Sequence, residues 1–96
     1  MTTLEELKRR KGEIQRISQK HGITRLRVFG SVARDEPTDQ SDLDLLVDMA
    51  PSRDLVDLVS FAHEMQTTLH ARVDVVSENG LSPVLRDKIL AEAISL

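Results

Sequence analysis

Two stretches of this chain turn from apolar to polar at a strand boundary: Val28-Phe29-Gly30-Ser31, and Ser41-Asp42-Leu43-Asp44-Leu45-Leu46-Val47, with ten residues between Ser31 and Asp42. In the second, Leu43, Leu45 and Val47 alternate with Asp42, Asp44, Leu46 and Asp48. That period of two predicts a strand with an apolar face for a core and an acidic face for solvent or cations. The first predicts a strand from Arg25 to Phe29, with Leu26 and Val28 on one face and Phe29 on the other. It ends at a glycine, which lets the backbone turn sharply, so that Ser31 can open a short helix whose free N–H groups face an anion. The fold must therefore bring a phosphate-holding turn and a pair of carboxylates to neighbouring strand ends.

The remaining elements follow from spacing. Leu4, Leu7, Ile14 and Ile17 predict one amphipathic helix from Leu4 to His21, with a Thr3/Glu6 capping box and Gly22 as its stop. From Ser31 to Gln40 a helical turn should give way to a loop, with Asp35, Pro37, Thr38 and Asp39 as turn formers. After Pro51-Ser52, the residues Leu55, Leu58, Val59, Ala62, Met65 and Leu69 form the apolar stripe of a second long helix. Arg72 to Val76 is a third strand. Ser82-Pro83 caps and starts a last helix, which should run through Leu85, Ile89, Leu90 and Ile94. This order predicts an α/β (α+β) fold, a small mixed sheet with helices packed on one face and the opposite face open at the carboxylates. No repeat, low-complexity tract or linker divides the chain, so residues 1–96 read as one domain.

Composition narrows the function. An apolar content of 40% suffices for a core at this length. No cysteine is present, which leaves no disulfide framework or thiolate chemistry. No long apolar run or signal-like start appears, so a cytoplasmic protein without a membrane span is expected. A net charge of −3 and only two aromatic residues, Phe29 and Phe61, argue against nucleic acid as the ligand. The run Lys8-Arg9-Arg10-Lys11 covers more than a full helical turn and reads first as a solvated face, and second as a docking patch for an acidic partner.

Asp42 and Asp44 stand about 6.6–6.8 Å apart along a strand, within reach of a shared divalent ion. Asp74 interrupts the β-branched run Val73-Asp74-Val75-Val76 and would face the same surface if the third strand pairs with the second. Three such carboxylates repel one another unless cations neutralise them, and hard oxygen donors suit Mg2+. Two Mg2+ ions, about 3.5–4 Å apart, would clamp the attacking and leaving oxygens of a nucleotidyl transfer, with Asp42 and Asp44 holding both. Asp74 would ligate the ion that activates the incoming hydroxyl and could take its proton. Ser31 and the N–H groups following Gly30 would hold the phosphates that leave as pyrophosphate, and Arg34 would offset their charge. Asp35, Asp39 and Asp48 read as solvent-facing, and Glu78 as a loop glutamate. His63 and His70, two turns apart, lack zinc spacing and read as surface or interface residues, while His21 suits a helix C-terminus. There is no Walker loop, dinucleotide fingerprint or calcium loop.

The motif Gly30-Ser31-Val32-Ala33-Arg34, followed by Ser41-Asp42-Leu43-Asp44-Leu45-Leu46-Val47, resembles the minimal nucleotidyltransferases of the DNA polymerase beta superfamily. The likeness runs over essentially the whole chain and includes Asp74. It implies a polymerase-beta-like fold, ATP as substrate, and a role as the antitoxin of a HEPN toxin. On that resemblance AMP passes to a tyrosine hydroxyl of the toxin, in a hetero-oligomer with it. The alternative is a catalytically silent module that neutralises the toxin by occlusion. Transfer to a small molecule ranks last, since no extra helical domain is present to hold such an acceptor. The family often has glycine where this chain has Asp35, and aspartate tolerates the left-handed turn that glycine would serve.

Overall fold

Leu43, Leu45 and Val47 are no more than 1% exposed, so the apolar face of the acidic strand is the centre of the core. That strand, β2 (Leu43–Met49), lies in a mixed four-stranded sheet with β1 (Ile23–Phe29), β3 (Val73–Ser77) and β4 (Ile94–Ser95), in the order β3-β2-β1-β4. β1 runs antiparallel to β2 and to β4, whereas β3 runs parallel to β2. A parallel neighbour needs a crossover, and the second long helix, α4 (Leu55–Leu69), supplies it. These relations come from a computed structural model that describes residues 2–36 and 42–96. The expected turn formers Pro37, Thr38 and Asp39 lie outside the described residues.

The N-terminal helix is broken where one continuous helix was expected. α1 (Leu4–Arg9) and α2 (Lys11–Lys20) meet at Arg10, whose backbone leaves helical geometry at φ −100 and ψ 17. The Arg10 guanidinium donates to the Thr68 carbonyl (3.1 Å) near the end of α4 and pairs with Glu6 and Glu13. Within the basic run, then, Lys8, Arg9 and Lys11 are solvated, but Arg10 ties two elements together. The break leaves Leu7 and Ile14 both buried in the same core as Phe61, Met65 and Leu69 of α4. His21 caps α2, its Nε2–H donating to the Glu64 carboxylate at 2.8 Å and its ring meeting the Phe61 ring edge-on.

A single-turn helix, α3 (Gly30–Ala33), follows β1. After β3 come a 3-10 turn (Glu78–Gly80) and α5 (Pro83–Glu92), which starts as expected with Ser82 Oγ accepting from the Leu85 N–H. α5 stops at Glu92 and does not run on through Ile94. Instead Ile94 and Ser95 pair with Val28 and Arg27, covering the open edge of β1. Two residues are too few for an alternating pattern, so nothing in the local sequence announces this strand.

α4 departs from expectation on its outer side. Leu58, Phe61, Met65 and Leu69 face the core, but Leu55 and Val59 are 70% and 61% exposed. The helix begins with a reciprocal capping box: Asp54 accepts from the Val56 and Asp57 N–H groups, and Asp57 accepts from the Asp54 N–H. Asp54→Ala should lower the melting temperature by about 4 °C without changing the fold, measured by circular dichroism. No helix among the described residues is long and apolar enough to cross a membrane.

Candidate active site

The turn after β1 can be made only by glycine. Gly30 has φ +73, and a Cβ placed on it would collide with the Asp44 carboxylate of the neighbouring strand. The carboxylate thus rests directly on the backbone of the turn. α3 is anchored from below by Val32, which is 1% exposed, while Ser31 is half-buried and Arg34 exposed. At the end of the turn Asp35 has φ +59, the left-handed conformation for which glycine is favoured and aspartate is among the better substitutes.

Asp44 and Asp74 are direct register partners on β2 and β3, about 4.8 Å apart at the backbone, on the face opposite Leu43, Leu45 and Val73. A backbone hydrogen bond from the Leu43 N–H to the Arg72 carbonyl (2.9 Å) sets that register at the strand starts. Asp74 is exposed, and Asp42, just before β2, is half-buried. The Asp44 carboxyl titrates above the ordinary carboxylate value, first because it is partly buried and then because Asp74 and Asp42 repel its charge. Among the described residues no ion pair involves Asp42, Asp44 or Asp74, and no group of three acidic or imidazole side chains is close enough to hold a metal ion as it stands. Gly30, Arg34, Asp44 and Asp74 line one cavity of about 450 Å³, whose apolar wall includes Val76 and Leu85. Asp42 and Ser31 stand outside its lining; Asp42 reaches it through its field on Asp44.

Two side chains that sequence reasoning missed divide this face of the sheet. Arg27 is buried, and pairs with Glu78 at 3.3 Å and Asp48 at 3.8 Å. Glu78 is thus the partner of an arginine and not a free loop glutamate, and Asp48, expected to face solvent, is half-buried beside it. Burial and the neighbouring Glu78 push the Asp48 carboxyl up, while hydrogen bonds from Asp48 and Arg27 hold Glu78 down. The acids at this end share an arginine, whereas Asp42, Asp44 and Asp74 have no ion pair among the described residues.

The second is Glu92. Its carboxylate accepts the Gly30 N–H (2.9 Å) and an Arg34 N–H (3.0 Å), and both bonds hold it below the usual carboxylate range. Arg34, read as a ligand for phosphate, is therefore held by Glu92 and, at 3.6 Å, by Glu36. No motif marks Glu92, because the pairing joins residues 62 apart.

Residues 12–96 match the family described as polymerase beta, nucleotidyltransferase. A Methanocaldococcus jannaschii protein, provisionally named a protein adenylyltransferase, is 40% identical over 93 residues, 97% of each chain. The solved structure of a provisionally assigned minimal nucleotidyltransferase superposes with a TM-score of 0.88 at 45% identity, covering 99% of this chain and 97% of that one. Two further structures share the fold at lower identity. One is a toxin–antitoxin complex with AMP-PNP (TM-score 0.76, 21% identity, 88% of this chain and 70% of that one). The other is a tri-AMPylated Shewanella oneidensis HEPN toxin in complex with an MNT antitoxin (TM-score 0.70, 19% identity, 92% and 69%). A match that reaches from Gly12 to the last residue, together with relatives of the same length at 40% and 45% identity, leaves one assignment: the chain belongs to the polymerase beta nucleotidyltransferase family, as one of its minimal members.

Proposed function

We propose that this chain, acting as a single domain, transfers AMP from ATP to a tyrosine hydroxyl of a HEPN-domain toxin and so serves as its antitoxin. The observation that carries the reading is the register pairing of Asp44 with Asp74 beside the Gly30 turn. The names of the relatives support protein adenylylation, and the neighbouring complexes support ATP and a HEPN partner in a hetero-oligomer. An ATP-dependent reaction also fits the expected cytoplasmic location.

The donor set suits Mg2+, since Asp44, the member of the trio that is pushed up, is pushed up partly by two like charges that a divalent ion would offset. Asp42, Asp44 and Asp74 would hold it, and when bound it supplies charge neutralisation on the phosphates and a more acidic acceptor hydroxyl. The protein's own groups do the rest. Ser31, the N–H groups of the Gly30 turn and Arg34 hold the leaving phosphates, and Asp74, the exposed member of the trio, accepts the phenolic proton. The tyrosyl oxygen bonds to the α-phosphorus as the bond to the β-phosphate oxygen breaks, and pyrophosphate leaves. Incubation of the pure protein with ATP, Mg2+ and its HEPN partner should raise the partner's mass by one or more AMP groups. An unchanged mass rejects the reading.

Silent occlusion has one observation in its favour, the Glu92 carboxylate seated on the Gly30 N–H and Arg34 that a phosphate would need. Toxin inhibition that survives combined Asp42→Asn and Asp44→Asn would select it. On the enzymatic reading Glu92 competes with the triphosphate, and Glu92→Gln should tighten ATP binding by about threefold in calorimetry, the scale of one partly solvated charge.

A further inference from the structure

The outer stripe of α4 is apolar without serving the core. Leu55, Val56 and Val59 are 70%, 71% and 61% exposed, and valine is a poor helix former at a solvated position. Leu55, Val59, Ala62 and Gln66 recur at helical spacing along one face, and with Val73, Asp74 and Val75 of the sheet-edge strand β3 they bound a groove of about 350 Å³. Asp74 is shared between this groove and the cavity beside Gly30, so the carboxylate forms the boundary between two binding spaces.

The two spaces differ in charge. The Gly30 side sets Arg34 and Lys88 among Asp44, Asp74 and Glu92 in its lining, and so offers cations to a polyphosphate. The α4 groove has no lysine or arginine, and its ionisable groups are Asp74 and His63, which suits an apolar segment and repels phosphate. A bound strand is also disfavoured, because the Gln66 side chain already accepts the Val73 N–H (3.3 Å) at the edge where strand addition would begin.

We propose that this groove docks the acceptor protein through one amphipathic helix, whose apolar residues cover Leu55 and Val59 and whose hydroxyl-bearing residue is thereby delivered to Asp74 from the side opposite the nucleotide. The proposal rests on the adenylyl-transfer reading for the identity of the acceptor. Its test compares wild type with Leu55→Glu/Val59→Glu, and with Val84→Glu on the exposed face of α5 as control. The probe is a cognate HEPN-domain protein, titrated in calorimetry and assayed for mass gain with ATP and Mg2+. The double variant should keep wild-type melting and ATP binding, weaken the partner by at least about tenfold and lose transfer, whereas Val84→Glu leaves all four unchanged. Partner binding and transfer at wild-type levels in the double variant would overturn the proposal. So would a wild-type chain that self-associates and a double variant that does not, since the face would then cover a second copy. Partner binding that depends on Leu55 and Val59 without any mass gain in wild type would leave the docking face standing and remove the adenylyl-transfer reading alone.

Discussion

Asp44→Asn should cut adenylyl transfer by about a thousandfold while raising the melting temperature of the ion-free protein by a few degrees. On the proposed reading, the first effect follows from removing a charge that would hold the metal ion and align the phosphates, and such contacts are worth about 10²–10³ in rate. The second follows from the sign of the Asp44 titration. A carboxyl whose folded value lies above its unfolded value is strained by being charged, from burial first and then from Asp74 and Asp42. Its contribution is favourable below the unfolded value, about 3.9, and is lost as pH rises through the raised folded value. At neutral pH the wild type therefore bears the cost, and the amide does not. The melting curves of wild type and variant should approach each other as pH falls through that window, which cancels the opposite trends of groups held low, such as Glu92 and Glu64. Equal melting temperatures at neutral pH would remove the claim that the site stores repulsion. Loss of activity with gained stability is the behaviour expected of a functional cluster and not of a structural one.

Gly30→Ala should be the most damaging single methyl group in the chain. The left-handed φ alone costs about 1–2 kcal/mol for a residue with a Cβ, and here the Cβ also meets the Asp44 carboxylate. A melting temperature lower by about 8 °C or more and transfer reduced by about a hundredfold are expected, the latter because a shift of about 1 Å at the reacting centre has that effect. The double variant Gly30→Ala/Asp44→Ala separates the two causes. With the carboxylate gone the worst of the collision is relieved, so its stability should exceed that of Gly30→Ala by more than Asp44→Ala gains alone. Strict additivity would mean that the turn and the carboxylate do not touch. Gly22 makes a useful comparison, since its φ of +74 is equally strained but the atoms in its way belong to the flexible Arg53 side chain.

Part of this site was written in short-range pattern. The Asp42-Leu43-Asp44 alternation fixed which face of β2 would be acidic, because a strand has no choice about where successive side chains point. Gly30 and Asp35 marked two left-handed backbone positions, and both adopt them. The interrupted valine run identified Asp74, and parallel pairing of β3 with β2 sets it directly opposite Asp44. Ser82-Pro83 and Gly22 fixed helix ends through cap chemistry that depends on neighbours a few residues away.

Long-range pairing decided the rest. The Arg10 break, the β4 pairing and the Arg27 ion pairs each join residues with no periodic relation, such as Arg10 with Thr68 and Arg27 with Glu78. Glu92 reaches Gly30 only because β4 pins the segment that follows α5 against β1. The same holds for α4, whose apolar residues announce that a face will be covered but not by what. Local sequence sets backbone geometry and the direction of side chains through sterics and capping, whereas which charges meet, and which apolar face is left without a neighbour, is settled only when the sheet order and its edges are complete.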